Sequence, residues 1–281
     1  MSRNLPASIR ARLKQHADAT KEDFNLTLTH FGLERLLYRL SISRHANNYL
    51  LKGALLFSLW YDQPQRPTRD ADLLGFGPDD VATAVAVFQE ICRIEFEDGI
   101  IFKPTSVRAA EIRKEAGYGG IRVDLQATLD GARIALQIDI GFGDVVTPGP
   151  EQISYPVLIG DLPAPQLRAY PKYSVVAEKL HAICLLGMAN TRMKDYFDLG
   201  LLLSADDLEP DQLRSAIEET FRRRKLDLPS VLPGGLSHEF AGDLVKQKQW
   251  ATFLKKNHLD AAGLADTVAV LRESFAKLGI P

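Results

Sequence analysis

Two carboxylates one residue apart open the stretch RPTRDADLLG, residues 66–75. Asp70 and Asp72 are separated by Ala71 and followed by the apolar Leu73-Leu74. On a strand, residues two apart project from the same face, so these acids would point one way. Like charges held that close repel unless a cation lies between them, and Mg²⁺ takes carboxylate oxygens together with phosphate and water. An isolated D-x-D pair is better explained by a solvated loop end, since short motifs recur by accident. The elements around it must decide.

The strand expected from the acids runs over Asp72–Phe76, and Pro78-Asp79-Asp80 then starts a helix carrying Val81, Val85, Phe88 and Cys92 on one face. Farther on, Ile121, Val123, Leu125 and Ala127 alternate with polar residues. Asp130-Gly131 follows as a hairpin turn, and Ile134, Leu136, Ile138 and Ile140 alternate again. With Asp130 and Gly131 as the two turn residues, Leu129 faces Ala132, Arg122 faces Asp139 and Asp124 faces Gln137. Polar meets polar and apolar meets apolar, as a correct register requires. Asp139 then projects from the polar face and is the first choice as a third acid, with Asp124 on the same side as its rival. Three carboxylates from neighbouring strands suit a site for metal ions that bind a triphosphate and activate an attacking hydroxyl.

Upstream, Phe24 to Leu40 repeats apolar residues at helical spacing, with Glu34, Arg35 and Arg39 between them. The apolar run YLLKGALLFSLW is interrupted by Lys52-Gly53, where backbone N–H groups could approach a phosphate. Thr147 to Pro171, rich in Pro and Gly, reads as irregular structure and a domain boundary. Beyond it, helices are expected over 174–186, 192–203, 210–225, 237–257 and 261–278. The division predicted is an α/β domain over 1–165 and a helical domain over 166–281.

Within the helical part, Lys179 sits among Val175, Val176, Ile183 and Leu186, and a semi-buried lysine needs a carboxylate or phosphate partner. Arg192, Asp195 and Asp198 fall at three-residue steps along one helix stripe, and Lys194 can pair with Asp198 at four. Arg222-Arg223-Arg224-Lys225, Lys246, Lys248, Trp250, Lys255 and Lys256 gather positive charge around an aromatic; such an array could follow a phosphate backbone and stack a base, or simply form solvated helix faces. The chain's 281 residues carry a net charge of only −2, so a nucleic acid would need a local basic patch of this kind. Two cysteines in apolar helical patterns, no apolar core for a signal peptide and no run of ~18 apolar residues point to a soluble cytosolic chain with free thiols. Six histidines without ligand spacing exclude a structural zinc site, and neither the P-loop nor the dinucleotide glycine pattern is present. Gly141-Phe142-Gly143-Asp144 reads as a turn leaving the strand.

KGA, then RPTRDADL, IDIGFGD, EKLHA and RMKDYFDL, in that order from Lys52 to Asp198, resemble the AbiEii/AbiGii toxin family of nucleotidyltransferases, which includes the MenT toxins. The resemblance implies a DNA polymerase β-like nucleotidyltransferase core, a mixed sheet flanked by helices, with an α-helical C-terminal domain. It implies Mg²⁺ held by Asp70, Asp72 and Asp139, and an NTP substrate whose triphosphate Lys179 contacts. Asp195 is implied as a further essential acid, orienting Lys179 or accepting the hydroxyl proton. Lys52, Gly53, Arg66, Thr68 and Arg192 would shape the nucleotide pocket. The function implied is a toxin of a toxin–antitoxin pair that transfers NMP to an RNA, the 3′ end of a tRNA, with the basic C-terminal helices supplying RNA affinity and a cognate antitoxin as partner. This chain departs from the family's common Gly-Gly or Gly-Ser after the lysine, having Gly53-Ala54. Thr68 lies two residues before Asp70, so a phosphate or nucleotidyl group on it would put negative charge where metal and triphosphate bind, an off-switch. Two alternatives stay open from the residues: a nucleotidyltransferase with a small-molecule acceptor, and a non-catalytic nucleotide- or RNA-binding module.

Overall fold

The structure, a computed structural model, describes residues 4–61, 66–113, 119–205 and 207–281. The Gln63–Gln65 part of the loop before the acidic pair lies outside them. Contacts divide the chain into two compact units: residues 1–143 with 151–169, and residues 144–150 with 170–281.

The first unit opens with helices α1 (Leu5–Thr20) and α2 (Phe24–Ser41), whose N-caps Asn4 and Asp23 accept from the N–H groups of Ala7 and Leu26. Strand β1 (Tyr49–Lys52), short helix α3 (Phe57–Trp60) and strand β2 (Asp70–Gly75) follow. Then come helix α4 (Val81–Cys92) and strands β3 (Ile100–Phe102), β4 (Arg108–Arg113), β5 (Gly119–Leu129), β6 (Ala132–Phe142), β7 (Glu151–Ser154) and β8 (Gln166–Ala169). Among the described residues these strands form one mixed sheet in the order β3-β5-β6-β2-β1-β8-β7, with β4 also on β5. The β2–β6 and β1–β8 pairs are parallel and the others antiparallel.

The β5–β6 hairpin has the register that alternation predicts: Leu129 faces Ala132, Arg122 faces Asp139 and Asp124 faces Gln137. Its two-residue turn has φ +45° at Asp130 and +78° at Gly131, the primed geometry whose twist matches the strands. The apolar sides of both strands are buried, from Ile121 to Leu129 and from Ile134 to Ile140. Helix α2 comes so close to this side that a Cβ on Gly32 would lie 2.9 Å from Leu136 Cδ2. With one sheet face sealed by α2, the polar residues of β5, β6 and β2 are left on the other.

Three features differ from the sequence reading. Strand β2 begins at Asp70, because pairing with β6 starts at Gln137, so both acids lie within the strand. The Pro/Gly-rich stretch contains β7 and β8, which pair with each other, while β8 bridges β1 at Leu51–Ala169. Four-residue strands bounded by prolines carry too little alternation to be read. Thirdly, Glu34, Arg35 and Arg39, which the helical spacing places between the apolar positions, are themselves buried. Arg35 Nε and Arg39 Nη1 donate to Asp98 Oδ2 at 2.8 and 2.7 Å, and Glu34 accepts from the Leu158 N–H at 2.7 Å. Burial nevertheless raises the Glu34 carboxyl to about 7, against the pull of that N–H and of Arg35.

The second unit is helical: α5 (Lys172–Leu186), α6 (Met193–Ser204), α7 (Pro210–Arg223), α8 (His238–Gly242), α9 (Leu244–Asn257) and α10 (Leu264–Lys277). The single helix expected over 237–257 is two, because Asp243 turns extended and caps α9 by accepting from the Lys246 N–H. No helix is long and apolar enough to cross a membrane among the described residues. Cys92 is buried and Cys184 half-buried, both free, with burial pushing each thiol up to about 12.

Candidate active site

Residues opposite one another in a sheet share a face, so the register determines the composition of the polar side. Arg122 opposes Asp139, Asp139 lies beside Asp72, and Asp72 opposes Lys52. One cross-strand row therefore reads Arg122–Asp139–Asp72–Lys52, two acids flanked by two bases. The adjacent row reads Asp124–Gln137–Asp70. Asp139 is thus the immediate neighbour of Asp72, whereas Asp124 is one strand farther from the β2 acids and exposed.

Each acid has a distinct support. Thr68 Oγ donates to Asp70 Oδ1 at 2.7 Å, and the Thr68 carbonyl accepts from His30 Nε2 at 2.8 Å. His30 comes from α2 and lies 3.3 Å from Glu22 through Nδ1, so a helix behind the sheet fixes the approach to β2. Sequence reasoning passed over this histidine because no spacing signal links it to Thr68. Asp72 lies against Gly53, whose φ is +76° and where a Cβ would come within 2.1 Å of Asp72 Oδ2. Only glycine combines that backbone with that approach. Asp139 accepts from Arg122 through both oxygens, Oδ1 from Nε and Oδ2 from Nη2, each at 2.8 Å. These bonds, followed by the fields of Asp139, Asp124 and Asp70, hold the Arg122 guanidinium above its ordinary pKa. Lys52 is buried and Arg66 half-buried at the start of the segment leading into β2.

The donor chemistry of Asp70 and Asp72 fits a hard divalent cation: two carboxylates on one strand face, beside a glycine that leaves room against Asp72. Mg²⁺ is commonly held by one or two carboxylates, with substrate phosphate and water completing its shell. Asp139 lies next in register but is engaged at both oxygens by Arg122. No group of three or more His, Cys, Asp or Glu side chains forms a metal cage among the described residues.

In the helical unit, Lys179 of α5 and Asp195 of α6 meet, with Arg192 just before α6. Lys179 Nζ donates to Asp195 Oδ1 at 2.9 Å and to Asp198 Oδ2 at 2.7 Å, and Arg192 Nε donates to Asp195 Oδ2 at 2.6 Å. Both carboxylates are fully buried. Burial alone would raise the Asp195 carboxyl, but Lys179 and Arg192 hold it far below the usual range. Asp198 is a partner of Lys179, whereas the helix spacing offered it Lys194. Two residues beyond Lys179, His181 is buried with neither ring nitrogen hydrogen-bonded among the described residues, and its ring meets Phe221 edge-on at 5.2 Å. Burial, helped by Arg224, lowers its pKa to about 4.

The basic array of the C-terminal helices is smaller than its sequence suggests. Arg224 is bound to Asp144 at 2.8 Å and Glu178 at 3.1 Å. Lys246 is buried and donates to the Asn190 carbonyl at 2.9 Å. Trp250, expected as a base-stacking platform, is buried with its indole N–H on the Ala262 carbonyl at 3.0 Å. An amphipathic helix must bury its large apolar residue, and that requirement takes Trp250 inward. Arg222, Arg223, Lys225, Lys248, Lys255 and Lys256 stay exposed.

A candidate nucleotidyltransferase from H. pylori is similar in structure, with TM-score 0.50 and 18% identity over 89% of this chain and 93% of that one. The JHP933 structure from Helicobacter pylori aligns at TM-score 0.49 and 16% identity, over 89% and 90%. The first of these likenesses shows the fold, a nucleotidyltransferase-type α/β core with its mixed sheet flanked by helices. No curated protein shows a significant match. The family described as nucleotidyl transferase AbiEii toxin, Type IV TA system, matches residues 35–270, a span that takes in both acidic strands and the Lys179–Asp198 segment. The chain belongs to the AbiEii family of nucleotidyltransferase toxins, whose place in toxin–antitoxin systems implies an antitoxin partner.

Proposed function

We propose that this chain transfers a nucleoside monophosphate from an NTP to an RNA, with the 3′ end of a tRNA as acceptor, and that the reaction depends on Mg²⁺ held by Asp70 and Asp72, with Asp139 as third acid. The observation that carries the reading is the sheet face itself: three acids on two adjacent parallel strands, Asp72 and Asp139 side by side, beside a glycine that no other residue can replace. The acceptor hydroxyl oxygen forms a bond to the α-phosphorus as the bond from that phosphorus to the bridging oxygen breaks, and pyrophosphate leaves with the electron pair. The hydroxyl proton passes to a carboxylate of this face or to water. What Mg²⁺ supplies when bound is charge neutralisation at the phosphates and a more acidic attacking hydroxyl. Thr68 orients Asp70, and Lys52, Gly53 and Arg66 border the same strand ends as the nucleotide pocket.

In the helical unit, Lys179 is assigned to the triphosphate, with Arg192 beside it. Asp195, held ionised by two cations, is a poor proton acceptor, so its role is to orient Lys179. The exposed arginines and lysines of α7 and α9 supply RNA affinity through phosphate contacts alone, since Trp250 is buried.

The test is incubation of the purified chain with each α-labelled NTP, Mg²⁺ and total RNA. Label is expected in the tRNA fraction, lost with EDTA and lost in Asp70→Asn. Label found only in a small-molecule fraction of a cell extract would replace the acceptor. No transfer to any acceptor would overturn the reading.

A further inference from the structure

The row Arg122–Asp139–Asp72–Lys52 is electrically balanced as it stands, an adjacent acid pair with a base on either side. Adjacent carboxylates on parallel strands repel, and in this protein the flanking cations offset that repulsion. Arg122 occupies both oxygens of Asp139, so a divalent cation on this face can use that carboxylate only if the arginine withdraws. The two bases differ. Lys52 is 7% exposed and enclosed at the end of β1, whereas the Arg122 side chain is 40% exposed on β5. The mobile flank is therefore the arginine, and it is the one that covers both oxygens of Asp139.

We propose that Arg122 is a positioning residue that holds Asp139 as a resident counter-ion, and that Asp139 reaches a divalent cation only when Arg122 releases it. The inference rests on the metal-binding reading of the sheet face and assigns a role to a residue outside the acids. Its consequence is a coupling: the clamp fixes the Asp139 carboxylate in place, and it competes with the metal for the same two oxygens. A two-pronged guanidinium–carboxylate bond is the strongest form such competition takes, and lysine cannot reproduce it.

The experiment is titration of the full chain with Mn²⁺, free ion being read by electron paramagnetic resonance, without nucleotide. Arg122→Gln is expected to bind Mn²⁺ about tenfold tighter than the wild type, the release of charge-assisted hydrogen bonds setting that scale. Arg122→Lys, which keeps the charge and loses the fork, is expected to tighten binding about threefold, and it serves if the glutamine variant does not fold. A residue that merely props the strand would weaken binding when removed, so tightening separates the two roles. Unchanged or weaker Mn²⁺ binding in the arginine variants, with wild-type binding lost in Asp70→Asn, would overturn this inference alone. A wild type without any Asp70-dependent Mn²⁺ binding would remove it together with the reading beneath it.

Discussion

On the sheet face, Asp72 and Asp139 lie between Lys52 and Arg122; in the helical unit, Asp195 and Asp198 are gathered around Lys179 and Arg192. Each set has two acids and two bases, yet their settings differ. The helical carboxylates are 0% exposed, and two cations bind Asp195 from opposite oxygens. On the sheet, Asp139 and Lys52 are buried and Asp72 is half-buried, but the Arg122 side chain is 40% exposed, so the Arg122–Asp139 pair has one end in solvent. Desolvation makes a buried pair costly to break and an exposed one cheap to exchange. The comparison teaches that equal charge does not mean equal function. The helical set holds Lys179 between two buried carboxylates, and the sheet set has the more exposed cation.

The comparison can be broken most forcefully in the helical unit. Asp195→Ala leaves Lys179 and Arg192 short of a buried partner and is expected to cost about 3–5 kcal/mol in urea denaturation. A loss below that of a surface pair would put the cluster in the exchangeable class with the sheet.

The next effect is a pH dependence. The folded His181 pKa, about 4, lies below its unfolded value near 6.5, so the unfolded chain takes up the proton first and stability falls as pH drops from 6.5 to 4. The full difference is worth about 3 kcal/mol. Glu34 acts oppositely: its raised folded pKa, about 7, makes stability fall as pH rises from 4.5 to 7. His181→Leu should therefore remove the acid-side loss and leave the Glu34 slope, so that stability increases monotonically from pH 7 to 4.5. A variant with the wild-type profile would show that His181 is not buried neutral.

On the sheet, Gly53→Ala forces a Cβ onto Asp72 at a backbone of φ +76°. It is expected to cost about 2 kcal/mol of stability. Displacing Asp72 by about 1 Å should lower nucleotide transfer by about 100-fold, and near-normal transfer would show that the close approach has no part in activity. Arg122→Gln has the smallest effect on folding, about 1–2 kcal/mol by thermal melting, because it strips the buried Asp139 carboxylate of two hydrogen bonds while the arginine itself is partly exposed. A larger loss would place Arg122 with the helical struts.

What the sequence made legible follows the range of each signal. The β5–β6 register was readable because Asp130-Gly131 fixed the turn and eleven-residue strands alternated cleanly on either side. That register alone puts Asp139 opposite Arg122, although not the two-pronged bond between them. The buried pairing of Arg35 and Arg39 has no local sign, because their partner Asp98 is 63 and 59 residues away. Lys179 was legible as semi-buried, but its second partner Asp198 was hidden by an equally good local pairing with Lys194. Trp250 counted as a stacking platform for want of any local mark that distinguishes an inward tryptophan from an outward one. Long-range partners and short strands left no period to read.

The central claim is that the Asp70–Asp72 face receives the metal-bound triphosphate. Its most direct test is a crystal of the chain with Mn²⁺ and a non-hydrolysable NTP analogue, examined for anomalous scattering. The account predicts a manganese peak in contact with both Asp70 and Asp72 and with phosphate oxygens of the analogue. A peak elsewhere, or a bound triphosphate with no manganese at these two acids, would contradict it.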